Sequence, residues 1–338
     1  MAGYEQGPIR PPSEAASLLV RVSRNCPWNR CAFCPVYKGK KFSLRTAEEV
    51  LADLDEMKKE FGSLPRTVFL QDANPLLTRP DDLVRILEGI RERFPLVERI
   101  TAYARSHTLA RRSLAELKRI RQAGLDRLHV GLESGCDAVL ELVQKGTSRA
   151  EQIEGGRRAR EAGFELSEYV MPGLGGKRLS EAHADDTASA IAAIEPDFLR
   201  LRTCAVIPGT PLEQLVEQGR FEPLGEVEIV REIRRLLERL GETRTRLESD
   251  HLLNLLMELR GDLPAERERL LGVCDDFLGL PARIQKKFIL ARRLGWMGDL
   301  RHLDRVALDP EIDRALERME KEGVDAETFF HQLRGQTV

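Results

Sequence analysis

Long apolar runs are missing from this 338-residue chain. Glu5 sits among the first residues and no apolar run precedes Ser17, so neither a secretory leader nor a membrane span is expected, and the protein is expected in the cytoplasm. A surplus of one charge sign is lacking too. Lys and Arg total 53 against 55 Asp and Glu, a formal net of −2, which leaves no global footprint for a membrane surface and no support for nucleic acid as a partner. Repeats and low-complexity linkers are absent. Six cysteines are too few for a disulfide framework at this length, and in a reducing compartment a tight cysteine cluster points to a metal.

What is present is enough apolar residue, 42% of the chain, to bury one large core. Short apolar strands alternate with helical segments through the first two-thirds, the pattern of parallel βα units. Six strands are expected at Ser17 to Ser23, Thr67 to Asp72, Arg99 to Arg105, Arg127 to Leu132, Glu165 to Met171 and Asp197 to Thr203. Thr46 with Glu49, Ser113 with Glu116, Ser148 with Glu151 and Thr210 with Glu213 fit the capping box, in which hydroxyl and carboxylate each satisfy an orphan amide of the first turn. Six such units curl into a partial barrel or spread as a doubly wound sheet, and periodicity does not choose. After Pro211 the strand signals stop, and amphipathic helices are expected to the end, among them Glu228 to Leu240 and Pro310 to Gly323, with breaks at Gly261 to Pro264 and Gly279 to Pro281. The expected division is an N-terminal extension over 1–15, the barrel over 16–215 and a helical C-terminal region over 216–338.

Cys26-Pro-Trp-Asn-Arg-Cys31-Ala-Phe-Cys34 places three cysteines directly after the first strand. Three thiolates on one loop each hold one iron of a four-iron cluster and leave the fourth iron open to another ligand. The alternative is a zinc site completed from elsewhere. Cys136, Cys204 and Cys274 stand alone, and no second CxxC, CxH or HxxxH occurs.

With Phe33 before the last cysteine, and with the strand-end segments Val130-Gly-Leu-Glu133-Ser-Gly135, Gln144-Lys-Gly146 and Ile207-Pro-Gly-Thr-Pro-Leu212, the chain resembles the radical S-adenosylmethionine (SAM) superfamily. The likeness is to the branch related to the methylthiotransferases, the oxygen-independent coproporphyrinogen oxidases and the cobalamin-associated enzymes. It departs from the family in its C-x4-C-x2-C spacing, one residue longer than the usual C-x3-C-x2-C, an insertion absorbable as a bulge at Pro27 to Arg30. The resemblance implies an α/β fold, a partial (β/α)6 TIM-like barrel with a helical C-terminal region. It also implies a [4Fe–4S] cluster on Cys26, Cys31 and Cys34, SAM chelated to the unique iron through its amine and carboxylate, and reductive cleavage to a 5′-deoxyadenosyl radical that abstracts hydrogen from a substrate. A reducing partner such as flavodoxin or ferredoxin follows.

The same likeness assigns SAM contacts. Asp72 or Asn74 would meet the SAM amino group, although a plain turn also uses these residues and the family's glycines are absent there. Glu133 would accept from SAM hydroxyl or amino groups, or merely cap a helix. Gly173 and Gly175 would let backbone approach the adenosine, and Ile207 and Pro208 would border the adenine. Arg200 and Arg202 share a strand face; inside the barrel they would clamp the SAM carboxylate or an acidic substrate, and outside it they are surface residues. Tyr103 and Arg105 carry the same ambiguity.

Glu248-Ser-Asp250-His251-x-x-Asn254 reads as an Asp cap opening a helix over the following leucines, with proton donation or substrate recognition by Asp250 and His251 as the alternative. His183 with Asp186 reads as a solvated helix face. Lys38, Lys40 and Lys41, with Arg45, would balance cluster charge, attract an acidic electron donor or grip an anionic substrate, or form a solvated loop; they lack the interleaved aromatics that stack bases. Expected substrates are a small metabolite or tetrapyrrole first, then tRNA or protein. The reading from another class is a non-catalytic iron–sulfur or zinc-binding protein.

Overall fold

A computed structural model describes residues 9–336; the first eight residues of the expected N-terminal extension lie outside the described residues. The elements in chain order are β1 Leu18–Arg21, β2 Ser23–Arg24, β3 Ser43–Leu44, α1 Ala47–Phe61, β4 Thr67–Gln71, α2 Pro80–Arg93, β5 Arg99–Ala104, α3 Ser106–Arg111, α4 Leu114–Gln122 and β6 Arg127–Glu133. There follow α5 Asp137–Leu142, α6 Arg149–Glu161, β7 Glu165–Val170, α7 Gly176–Ile194, β8 Phe198–Leu201, α8 Pro211–Glu217, α9 Glu226–Arg239, β9 Thr245–Glu248, β10 Gly261–Leu263 and α10 Arg267–Leu278. The chain closes with α11 Ala282–Arg293, α12 Leu303–Leu308, α13 Pro310–Lys321 and α14 Ala326–Gln336. No helix among the described residues is long and apolar enough to cross a membrane.

The chain divides into two compact units, one of Met1–Arg30, Val36–Leu132 and Gly146–Glu168, the other of Cys31–Pro35, Glu133–Lys145 and Tyr169–Val338. This division interleaves the segments expected as one barrel. In the first unit the strands lie in the order β1-β4-β5-β6-β7, with β1, β4, β5 and β6 parallel in register (Leu18 beside Val68, Val68 beside Ile100, Thr101 beside Arg127). Sequence order equals spatial order, without the reversal of a doubly wound sheet, so the winding is that of a barrel. Burial is near-continuous along β4 and β6, as parallel strands covered on both faces require. The capping boxes at Thr46, Ser113 and Ser148 are complete. At Thr210 the hydroxyl accepts from the Glu213 amide, but the Glu213 carboxylate takes the Gly209 amide instead.

Residues 12–14, expected in the extension, form a short 3-10 turn that delivers Glu14 into the first unit. Its carboxylate is fully buried against His129, 3.1 Å away, and Ser17, 2.7 Å away. Burial pushes the Glu14 carboxyl up, and these bonds outweigh it to hold the group below its ordinary value.

The second unit corrects two expectations. Its C-terminal part is mostly helical but carries strands: β9 runs parallel to β8 and β10 antiparallel to β9. The Gly261 to Pro264 segment, expected as a helix break, therefore holds a strand. At three or four residues, β9 and β10 are too short to show a clear period in sequence. Nor does a helix follow Asp250. The Ser249 hydroxyl donates to Leu256 O and the Asn254 amide to His251 O, so side chains tie the segment into turns while Leu253, Leu255, Leu256 and Leu259 are buried. The expected helices Glu228 to Leu240 and Pro310 to Gly323 appear as α9 and α13.

A Cβ at Gly155 on α6 would stand 2.5 Å from Ser106 O at the start of α3. Gly155→Ala is expected to destabilise by about 1–3 kcal/mol through overpacking, whereas Gly272→Ala on α10, where a Cβ meets nothing within 4 Å, should stabilise by about 0.5–1 kcal/mol; thermal denaturation of the two variants checks the contrast. In the second unit His251 and His331 are pushed from 6.5 down to about 4, by burial first and then by Arg202 and Arg334 respectively. The unfolded chain therefore takes up protons before the folded one, and stability is expected to fall as pH drops from 6.5 towards 4, by at most ~1.4 kcal/mol per pH unit for each ring. Denaturant titrations across that window, with His331→Gln showing a shallower fall, test it.

Candidate active site

The cysteine loop starts from a fixed anchor in the first unit. Asn25 is fully buried and left-handed, at φ 65°. Its amide donates to Asp72 Oδ2 at 2.7 Å, and Arg21 Nε reaches the same oxygen at 3.3 Å. The Asn25 side chain donates to Lys41 O at 2.8 Å, so the chain entering Cys26 is held from both sides. The carboxylate of Asp72, which with Asn74 is one of the two candidates for the SAM amino group, fastens this loop. Asn74 is fully buried and donates to Thr108 Oγ1 at 2.7 Å.

The residues between the first two cysteines are packed rather than loose. The Trp28 ring lies under Arg30 and Arg105, with guanidinium carbons 5.2 and 5.4 Å from its centre, a cation–π arrangement. A Cβ on Gly146 would come within 2.3 Å of the indole, which is why a glycine ends Gln144-Lys-Gly146. Asn29 is left-handed, at φ 49°, and donates to Tyr37 O while Lys38 Nζ donates to Asn29 O at 3.1 Å. Arg105, ambiguous from sequence, belongs to this stack.

In the second unit the Ala32 amide donates to Val143 O at 2.8 Å, and Ala32 O accepts from Leu212 N at 3.0 Å. This binds the turn between Cys31 and Cys34 to the ends of α5 and the start of α8. Phe33 is buried beneath the Lys145 ammonium, 5.9 Å from its ring centre. Cys31 and Cys34 pack against an apolar cluster that includes Met171, Leu174 and Leu212.

None of the six cysteines is in a disulfide. Cys26, Cys31 and Cys34 are half-exposed, whereas Cys136, Cys204 and Cys274 are buried. Burial pushes the Cys136 thiol up, and Cys204 and Cys274 to about 12, so these three stay protonated and inert. The donor set left over, three accessible thiols on one loop, fits a cluster in which each cysteine takes a separate iron. Among the described residues no three His, Cys, Asp or Glu converge as ligands of one metal ion.

Glu133 ends β6 in the left-handed region, at φ 64°, a conformation costly for a residue with a Cβ and concentrated at functional positions. Its carboxylate pairs with Lys145 Nζ at 3.0 Å, each side chain 13% exposed, while its carbonyl accepts from Met171 N at 2.9 Å. The neighbouring Gly135 is a packing requirement, because a Cβ there would lie 2.5 Å from Asp186 O on α7. His183 is not on a solvated face: it is buried, with Nδ1 2.8 Å from Ser134 Oγ and Nε2 3.1 Å from Met171 O.

Gly173, at φ 87°, donates its amide to Glu232 Oε1 at 2.6 Å, and the other oxygen of Glu232 accepts from Ser180. Gly175 caps α7 and lines a cleft of about 620 Å³ together with Ala32, Gln144, Lys177, Arg178 and Phe221. Ile207 is half-buried and Pro208 exposed, in a turn that Thr210 Oγ1 closes by donating to Ile207 O at 2.6 Å. Arg200 is buried and ion-paired with Asp250. Arg202 is half-buried, and its amide donates to Val170 O at 2.9 Å. Sequence reasoning missed Trp28 and Glu232 as organising residues and read Asn254 only as part of a polar run; Trp28 carried a visible signal inside the cysteine spacing.

The chain is 22% identical over 265 residues to the tRNA uridine(34) acetyltransferase of Methanocaldococcus infernus, covering 66% of this chain and 49% of that protein; it thus spans about half that relative's length. Among solved structures it is similar to the cobalamin-dependent SAM radical enzyme OxsB, with a TM-score of 0.51 at 14% identity over 95% of this chain and 53% of the other. Coproporphyrinogen III oxidase (HemN) from Escherichia coli gives a TM-score of 0.50 at 19% identity over 67% of this chain and 52% of the other. The model of the radical SAM superfamily matches residues 20–188. That match takes in the anchored cysteine loop, Glu133 and the glycines after β7, and with it the chain belongs to the radical SAM superfamily, α/β enzymes that use a [4Fe–4S] cluster and S-adenosylmethionine.

Proposed function

We propose that the chain binds a [4Fe–4S] cluster through Cys26, Cys31 and Cys34 and uses it to cleave SAM reductively, generating a 5′-deoxyadenosyl radical that takes a hydrogen from a small-molecule substrate. The observation that carries this reading is the division of the cysteines: three half-exposed thiols on a loop anchored at Asn25 and Ala32, and three buried thiols unfit for ligation. The cluster supplies the electron for cleavage and an open iron for SAM. The residues of this chain do the holding. Asp72 fixes the backbone ahead of Cys26. Glu133, presented by its left-handed backbone and paired with Lys145, is the proposed acceptor for SAM hydroxyl or amino groups. Gly173 and Gly175, and the turn at Ile207 and Pro208, are the proposed walls of the nucleoside pocket. Lys40 and Lys41, exposed shortly after Cys34, offer positive charge to an acidic donor such as flavodoxin or ferredoxin, and the cytoplasm is the proposed compartment.

A second reading, RNA as substrate, is favoured by one observation: two relatives of this chain are named tRNA uridine(34) acetyltransferase and tRNA-2-methylthio-N(6)-dimethylallyladenosine synthase. The balanced charge of the chain favours the small molecule.

Anaerobic reconstitution with iron and sulfide, reduction, and addition of SAM should yield 5′-deoxyadenosine, and Cys31→Ala should abolish it. Iron-loaded protein that leaves SAM intact would favour the non-catalytic iron–sulfur alternative, and tRNA that accelerates turnover and gains mass would favour the second reading. Glu133→Gln should keep the iron content and weaken SAM about tenfold or more, the worth of a hydrogen bond to a charged group; equilibrium SAM binding with unchanged affinity would remove Glu133 from the site.

A further inference from the structure

The polar run Glu248 to Asn254 is laced onto the end of β8. Asn254 Oδ1 accepts from both the amide and the hydroxyl of Thr203, at 2.9 and 3.0 Å, and its side-chain nitrogen donates to Leu201 O at 2.8 Å. Arg202 lies between the two residues so gripped, and the turn that brings Asn254 there begins at His251. Among the other charges of this run, Asp250 pairs with Arg200 through one oxygen and leaves Oδ1 buried without a hydrogen bond among the described residues, and Glu248 pairs with Arg246. Arg202 is different. Its Nε is closed off from solvent and has no hydrogen-bond acceptor among the described residues.

His251 Nδ1 accepts the Leu253 amide at 3.2 Å, which places the proton of the neutral ring on Nε2, a donor. Burial, and then the Arg202 charge, hold this ring neutral by pushing it down to about 4. The turn tied down by Asn254 thus brings the neutral His251 ring into the field of the Arg202 guanidinium, whose Nε is unpaired, and the planar guanidinium matches a carboxylate in two parallel bonds. Both residues lie beyond the stretch 20–188 matched by the superfamily model, so they are not part of what that model describes.

We propose that Arg202 and His251 form a subsite for a carboxylate of the substrate, which makes that substrate an acidic small molecule; this rests on the radical SAM reading above. The same chemistry is offered by the SAM carboxylate, and the test separates the two sources. Calorimetric titration of the reconstituted full chain with succinate, and with its neutral diamide succinamide, is run with and without saturating SAM. Succinate should bind at millimolar concentration and succinamide should not. Arg202→Met should weaken succinate by about tenfold or more, Arg202→Lys and His251→Gln by less, and SAM should leave the succinate affinity within about twofold. Lys keeps the charge without the fork, so it serves if the Met variant does not fold. Failure of succinate to bind, equal binding by the variants, or displacement of succinate by SAM would overturn the proposal. Succinate binding that survives in a protein unable to cleave SAM would instead refute the proposed function and leave the subsite standing.

Discussion

Everything at the cysteine loop depends on one buried oxygen. Asp72 Oδ2 accepts from the Arg21 guanidinium and from the Asn25 amide, joining the end of β1, the start of the loop and the end of β4. Arg21 and Asp72 are 4% and 5% exposed in their side chains, and a buried ion pair is expensive to break once formed, because a lone charge is left behind. The chain ahead of Cys26 is thereby fixed by the strands of the first unit before any metal is bound. Ala32 does the corresponding work in the second unit, with backbone hydrogen bonds to Val143 and Leu212 in place of charge.

Much of this was legible in the chain itself, for physical reasons that differ by element. Strands such as β4 and β6 show because their burial is nearly continuous, and three capping boxes show because both partners lie three residues apart. The direction of winding was not legible, since strand order is a long-range property; the registers of β1, β4, β5 and β6 decide it. The strands β9 and β10 escaped because alternation over four residues or fewer is not a period.

At the site, residue type was easier to read than partner. Glu133 stood out from its glycines, yet its left-handed backbone and its pairing with Lys145 are visible only in three dimensions. Asp72 was recognised as a strand-end carboxylate, and the structure shows it acting on the loop. His183 with Asp186 reads as a solvated face because the sequence offers no partner for the ring; in the structure it is buried, and Ser134 and Met171 O supply both ring nitrogens with partners. Asn254 seemed one polar residue among several, and it is the one that straps the turn after β9 to β8.

The indole of Trp28 occupies the volume in which any side chain at position 146 would have to stand, while two arginines cover it. The longer spacing between the first two cysteines and the glycine more than a hundred residues later are therefore one packing unit. A shorter spacer grafted into this chain would leave a void lined by Arg105 and the bare backbone of Gly146, and a larger residue at 146 would force out the indole. The loop therefore tolerates changes that keep indole and glycine together or replace both at once.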